Sequence, residues 1–124
     1  MKSFFTAFAL AAALAGSIQT VAAAAEKNLT VVELYTSQGC SSCPPADAFL
    51  GELAKRDDLL ALSIHVDYWD YIGWKDRFAS PDNTKRQRAY ASKLGMRYVY
   101  TPQMIVQGAN HATGSDRDKI LALI

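Results

Sequence analysis

Leu29-Thr-Val-Val-Glu-Leu-Tyr35, Thr36-Ser-Gln-Gly39, Cys40-Ser-Ser-Cys43 and Pro44-Pro-Ala-Asp47 follow one another without a break. The first segment is rich in β-branched and aromatic residues, which suits a strand buried within a sheet. Thr36 to Gly39 breaks the pattern. After the cysteines, Ala46, Phe49, Leu50, Leu53 and Ala54 recur at helical spacing, with Asp47, Glu52, Lys55 and Arg56 on the other side. A strand therefore hands a Cys-x-x-Cys pair to an amphipathic helix. Because a proline disfavours α geometry in the residue before it, Pro44-Pro45 predicts a helix that starts at Pro45, a full turn from Cys40.

Beyond the Asp57-Asp58 turn, Leu59 to Val66 reads as a second buried strand, with Leu60, Leu62, Ile64 and Val66 on one face and Ser63 and His65 on the other. Strand, helix, strand implies a right-handed parallel crossover. Ser80-Pro81-Asp82 predicts a helix start, with Ser80 as cap, and Leu94-Gly95 its stop. Met104 to Gln107 reads as a third strand, Gly108-Ala109-Asn110 as a turn, and His111 to Thr113 as a brief fourth strand. Ser115 is predicted to cap a last helix from Asp116 to Ile124, with Asp118 placed to reach back. The alternation points to an α/β sandwich in one domain, residues 26–124.

Residues 1–25 stand apart. Lys2, an apolar run from Phe4 to Leu14, Gly16 and the small residues up to Ala25 make a secretory signal peptide, too short in its apolar part to span a bilayer. The expectation is a periplasmic or secreted protein with no membrane span once the leader is removed. Lys2 is the leader's only charged side chain, so its removal takes the formal net charge from +1 to neutral, which argues against nucleic acid as a partner. Lys85, Arg86, Arg88 and Lys93 cluster, but at a spacing that suits a solvated helix face.

The two cysteines, Cys40 and Cys43, leave two readings open. A structural bridge normally closes a longer loop, since linking near neighbours restricts the unfolded chain little. A small ring is tightly constrained and suits a bond that opens and closes. At a helix start, backbone amides and the helix dipole favour a thiolate, so Cys40 is the candidate nucleophile and Cys43 the residue that resolves the mixed disulfide. That chemistry acts on protein thiols and disulfides and needs no bound cofactor.

An alternative joins Cys40 and Cys43 to His65, with Asp67 or His111, as a copper or zinc site of a metallochaperone. A third reading is a non-catalytic exported binding module with a static disulfide. The aromatic residues Tyr68, Trp69 and Trp74 after the second strand read either as a lid over the core or as a substrate-binding floor for an unfolded peptide.

The order of elements, the strand-dithiol-helix placement and the Thr101-Pro102 step before the third strand resemble the thioredoxin superfamily. More closely, the runs Glu33 to Asp47, His65-Val-Asp-Tyr-Trp-Asp70, Gly73-Trp-Lys-Asp76 and Val99-Tyr-Thr-Pro-Gln103 resemble the secreted bacterial family called domain of unknown function 1223, over nearly all of residues 29–124. The resemblance implies a thioredoxin-like fold with a small central mixed sheet and helices on both faces. It implies a cis Pro102 facing the dithiol, with the backbone of Thr101 offering hydrogen bonds to a substrate. It also implies a buried acid in the strand before the dithiol, for which Glu33, one step off the expected register, is the candidate; the other reading of Glu33 is an exposed strand end. Ser41-Ser42 matches neither the Gly-Pro of reducing thioredoxins nor the Pro-His of strong oxidants. Members of this family carry further sequence after this region, so the chain is expected to be a piece of a longer protein.

Overall fold

A computed structural model describes residues 26–124; the predicted signal peptide lies outside them. Four strands, β1 (Thr30–Thr36), β2 (Leu59–His65), β3 (Gln103–Val106) and β4 (Asn110–Thr113), and three helices, α1 (Pro44–Leu53), α2 (Pro81–Lys93) and α3 (Arg117–Leu123), make up the domain. The strands form one mixed sheet in the order β2-β1-β3-β4. β1 runs parallel to β2, from Thr30 opposite Leu59 to Thr36 opposite His65, as the α1 crossover requires. It pairs antiparallel with β3, which in turn pairs antiparallel with β4. The α/β architecture with a small mixed sheet is as expected.

β1 is central and its alternation sorts the core into two layers. Val32 and Leu34 point to the face covered by α1 and α3, where they meet Phe49, Leu50, Leu53, Met104, Val106 and Ile120. Tyr35 points to the other face with Ile64, Val66 and Ile105, packed against Tyr68, Trp69 and Tyr90 of the loop and α2. Helices thus lie on both faces. The second layer is thinner, and Leu60, expected to be buried beside Ile64 and Val66, is 43% exposed at the sheet edge. Its strand has a neighbour on one side only, and α2 covers mainly the carboxyl end of β2.

Ser80 caps α2 by accepting from the Asp82 amide at 3.1 Å, with Pro81 in the first turn, and Gly95 at φ 67° follows its end, all as predicted. Several boundaries differ, β3 running Gln103–Val106 rather than Met104–Gln107 among them. α3 is capped by Asp116, not Ser115, because the longer side chain reaches the Lys119 amide at 3.2 Å. The β3–β4 turn places Gln107 at φ 53° and Gly108 at φ 63°, and both central residues of such a tight hairpin need this left-handed geometry. Gln107 is held there by Val31, whose amide donates to the Gln107 Oε1 at 2.8 Å and whose carbonyl accepts from the Gln107 amide at 2.8 Å. Among the described residues no helix is long and apolar enough to cross a membrane.

Candidate functional site

The end of β1 leads directly into the dithiol loop, residues 37–43. Thr36 Oγ1 donates to Asp47 Oδ1 at 2.7 Å, tying the strand end to the first turn of α1. Buried Ser37 folds the loop back on itself: its carbonyl accepts from the Cys40 amide at 3.2 Å and its hydroxyl from the Gly39 amide at 3.0 Å. Gly39 lies so close to the loop after β2 that an added Cβ would meet the Trp69 Cβ at 3.1 Å and Ile72 Cδ1 at 3.4 Å. Only a residue without a side chain fits there unless Trp69 gives way.

Cys40 and Cys43 form a disulfide with Cα atoms 5.4 Å apart. Both are buried, at 3% and 0% exposure. The Cys43 amide donates to the Cys40 carbonyl at 3.2 Å, closing the turn. Cys43 is the N-cap of α1, and the helix begins at Pro44, one residue before the expected start. The first turn of a helix leaves its amides without intrahelical partners, so two prolines there forfeit no helical hydrogen bond. They do subtract donors: Pro44 and Pro45 carry no N–H, and Ala46 holds the first amide of the helix proper. The dithiol sits closer to the dipole than expected, but with fewer amides around it.

Pro102 immediately precedes β3, whose Gln103 pairs with Tyr35 near the end of β1. The Thr101–Pro102 peptide is cis, in line with the resemblance. Gly114, whose amide donates to the Pro102 carbonyl at 3.0 Å, is wedged between α1 and this loop: an added Cβ would lie 3.0 Å from Ala46 Cβ, 3.0 Å from Leu34 Cδ1 and 3.3 Å from Pro102 Cβ. The first turn of α1 and Pro102 are therefore separated by little more than one glycine backbone. Trp69 ties the same region to the dithiol loop, since it packs on Gly39 and donates its indole N–H to Thr101 Oγ1 at 2.8 Å.

Of the aromatic residues expected to floor a peptide groove, Tyr68 and Trp69 pack into the smaller core layer. The Tyr68 hydroxyl donates to Gln87 Oε1 at 3.0 Å, and Gln87 Nε2 donates on to the Tyr100 carbonyl at 2.7 Å. Burial pushes the Tyr68 pKa up, against hydrogen bonds with Gln87 and Thr101 that lower it. Trp74 is 61% exposed, with its indole N–H donating to Gln38 Oε1 at 3.2 Å. Tyr71, Ile72 and Phe78 are exposed beside it in the chain.

Glu33 is not an exposed strand end. It is 1% exposed and lies on the α2 face, opposite to Leu34 and α1. Its carboxylate accepts from Arg86 Nε at 2.6 Å and from the Tyr90 hydroxyl at 2.6 Å. Burial, then the bond to Glu33, raises the Tyr90 pKa. This acid is committed to α2.

His65, at the end of β2, donates from Nδ1 to Asp76 Oδ2 at 2.6 Å. The other candidate metal donors are held apart from it: Asp67 Oδ1 accepts from Thr84 Oγ1 at 2.5 Å, and His111 Nδ1 bonds the Tyr100 hydroxyl at 2.9 Å. Among the described residues no three His, Cys, Asp or Glu side chains gather around a point that could hold a metal ion, so Cys40, Cys43 and His65 do not form one ligand set.

Asp76 is the residue at this site that sequence reasoning missed. Its buried carboxylate also accepts from the Gln38 amide at 2.9 Å, through Oδ2, and from the Phe78 amide at 2.9 Å, through Oδ1. Burial would raise its pKa, but the bonds from Gln38, His65 and Phe78 outweigh that and hold it below the ordinary aspartate value. The available signal was its place closing Gly73-Trp-Lys-Asp76 in a segment dense with aromatic residues.

A family model described as protein of unknown function (DUF1223) matches residues 31–124. The chain is also similar to the crystal structure of a protein from Agrobacterium tumefaciens, with 50% identity and a TM-score of 0.73. That match covers 81% of this chain and 46% of the other, so the chain spans just under half the length of its structural neighbour. No curated protein matches the chain.

Proposed function

We propose that this chain, which belongs to the DUF1223 family of proteins of unknown function, is an exported thiol-disulfide oxidoreductase of thioredoxin-like fold, working through Cys40 and Cys43 without a bound cofactor. The observation that carries this reading is the Cys40–Cys43 disulfide at the N-cap of α1, immediately after the central strand. The sheet order, with α1 crossing between two parallel strands and a cis Pro102 entering β3 beside the end of β1, supports the thioredoxin-like assignment. The leader-like residues 1–25 support export to the periplasm or beyond.

In the oxidised form, a thiolate of a protein dithiol attacks the Cys40 sulfur. The Cys40–Cys43 bond breaks and Cys43 leaves as a thiolate, giving a mixed disulfide between Cys40 and the substrate. The second substrate thiolate then attacks the substrate sulfur of that bond and releases Cys40. The substrate gains a disulfide, and the pair takes up two electrons. In the opposite direction the Cys40 thiolate attacks a substrate disulfide, and Cys43 resolves the intermediate by attacking Cys40. The backbone of Thr101 positions the substrate chain, and Trp74 beside the loop supplies apolar contact area.

The test is the equilibrium of the pair in glutathione buffers. A reversible potential between about −120 and −270 mV supports exchange chemistry and gives its direction, whereas one well below about −300 mV identifies a static bridge in a binding module.

A further inference from the structure

Residues 69–76 hold the dithiol loop from outside, and the strongest of these contacts is a charge-assisted hydrogen bond. Within the loop, the Gly39 and Cys40 amides are both satisfied by Ser37. The Gln38 amide instead leaves the loop and donates to Asp76. That carboxylate also accepts from His65 Nδ1 of β2 and from the Phe78 amide, and the Asp76 backbone is held by its own amide, which donates to Asp70 Oδ1 at 3.1 Å. The Phe78 ring stands edge-on to the His65 imidazole, with centroids 5.5 Å apart, and keeps that ring in place. The second attachment of Gln38, from its side chain to Trp74, is solvent-exposed and weaker.

We infer that Asp76 is a positioning residue for the Cys40–Cys43 pair: it fixes the loop that presents Cys40 against the carboxyl end of β2. The inference rests on the exchange reading above and names what holds the reacting sulfurs in register. A buried carboxylate is costly unless each oxygen finds donors, and here one donor is a backbone amide two residues before the nucleophile. Hydrogen bonds to a charged acceptor are about twice as strong as neutral ones, so this contact outweighs the turn bonds within the loop.

Removing it has two consequences of the same sign. The two thiols are held less firmly at bonding range, so the ring closes less readily. A negative charge beside the loop is also lost, so the thiolate of the reduced form is less disfavoured. Both push the pair toward the dithiol.

The experiment compares wild type, Asp76→Asn and Ile120→Ala in the full chain, each equilibrated with glutathione, with the alkylation rate of Cys40 followed against pH. Ile120 is the buried residue of α3, so its truncation lowers stability without touching the loop. Asp76→Asn is expected to shift the equilibrium toward the dithiol by about tenfold and to move the alkylation profile to lower pH, while Ile120→Ala leaves both within about twofold of wild type. Asp70→Ala, which frees the Asp76 amide, is expected to shift the equilibrium the same way by about threefold, and it carries the test if Asp76→Asn does not fold. An equilibrium and profile unchanged in both aspartate variants, or moved equally by Ile120→Ala, overturns the inference alone. A wild-type pair that does not exchange overturns the reading it rests on, and the wild-type sample shows this by itself.

Discussion

Trp69 donates its indole N–H to Thr101 Oγ1 over 2.8 Å, joining the segment that packs on Gly39 to the residue that precedes Pro102. The dithiol loop and the loop entering β3 are far apart in sequence, and this bond spans 32 positions. A neutral hydrogen bond of this kind contributes about 1 kcal/mol net. Trp69→Phe keeps most of the packing and is expected to lower stability by about 1–2 kcal/mol in urea denaturation. Thr101→Val should cost a similar amount, and the double variant about the same as either single one. Fully additive losses would mean that the two side chains do not interact.

Gly114→Ala is expected to destabilise the fold by about 1–3 kcal/mol, because the new methyl meets Ala46 and Leu34 at 3.0 Å in a packed layer. The midpoint of denaturation should fall with little change in its slope. A midpoint equal to wild type would show that α1 can move away from Pro102 freely.

Asp76 contributes to stability in a pH-dependent way. Its folded-state pKa is depressed, so its contribution is fully present above the unfolded value of about 3.9 and is lost as pH falls through the lower folded value. Thermal denaturation should therefore show stability dropping below about pH 4, and Asp76→Asn should flatten that part of the profile while lowering stability near neutral pH. A variant with the same acid slope as wild type would assign the loss to other carboxylates.

Cys43→Ser is expected to accumulate a mixed disulfide on Cys40 when offered oxidised glutathione or a disulfide-bonded protein, because no resolving sulfur remains. Cys40→Ser should accumulate at least about tenfold less, Cys43 being fully buried at the helix cap. Mass spectrometry of the acid-quenched mixture separates the two. Equal trapping by both variants would mean that Cys40 is not the preferred point of attack.

Local chemistry in the sequence was enough to locate β1, the dithiol, α1 and the start and stop of α2. Val31, Val32 and Tyr35 want a sheet, and Ser80-Pro81 has few uses other than opening a helix. What escaped the sequence depends on partners far along the chain. Glu33 looks like a strand-end acid until Arg86, 53 positions away, closes on it. Tyr68 and Trp69 resemble Trp74 in type, and only the position of α2 decides that two of them pack inward while the third faces solvent. The exposure of Leu60 follows from β2 lying at the sheet edge, a fact of strand order that no residue in β2 announces. Asp76 was hidden for the same reason, since its partner Gln38 lies 38 positions earlier.

The paired prolines at the head of α1 separate two properties that such helices usually tie together. In a helix start with ordinary residues, the same amides that shape the first turn also stabilise a neighbouring anion. Here the turn is shaped by ring constraint at Pro44 and Pro45, and neither residue brings an amide. The acidity of Cys40 is therefore free to drift apart from the stability of the domain: restoring one N–H at position 44 or 45 would retune the sulfur while leaving the sheet and its two core layers as they are. Reactivity and foldability become independently adjustable.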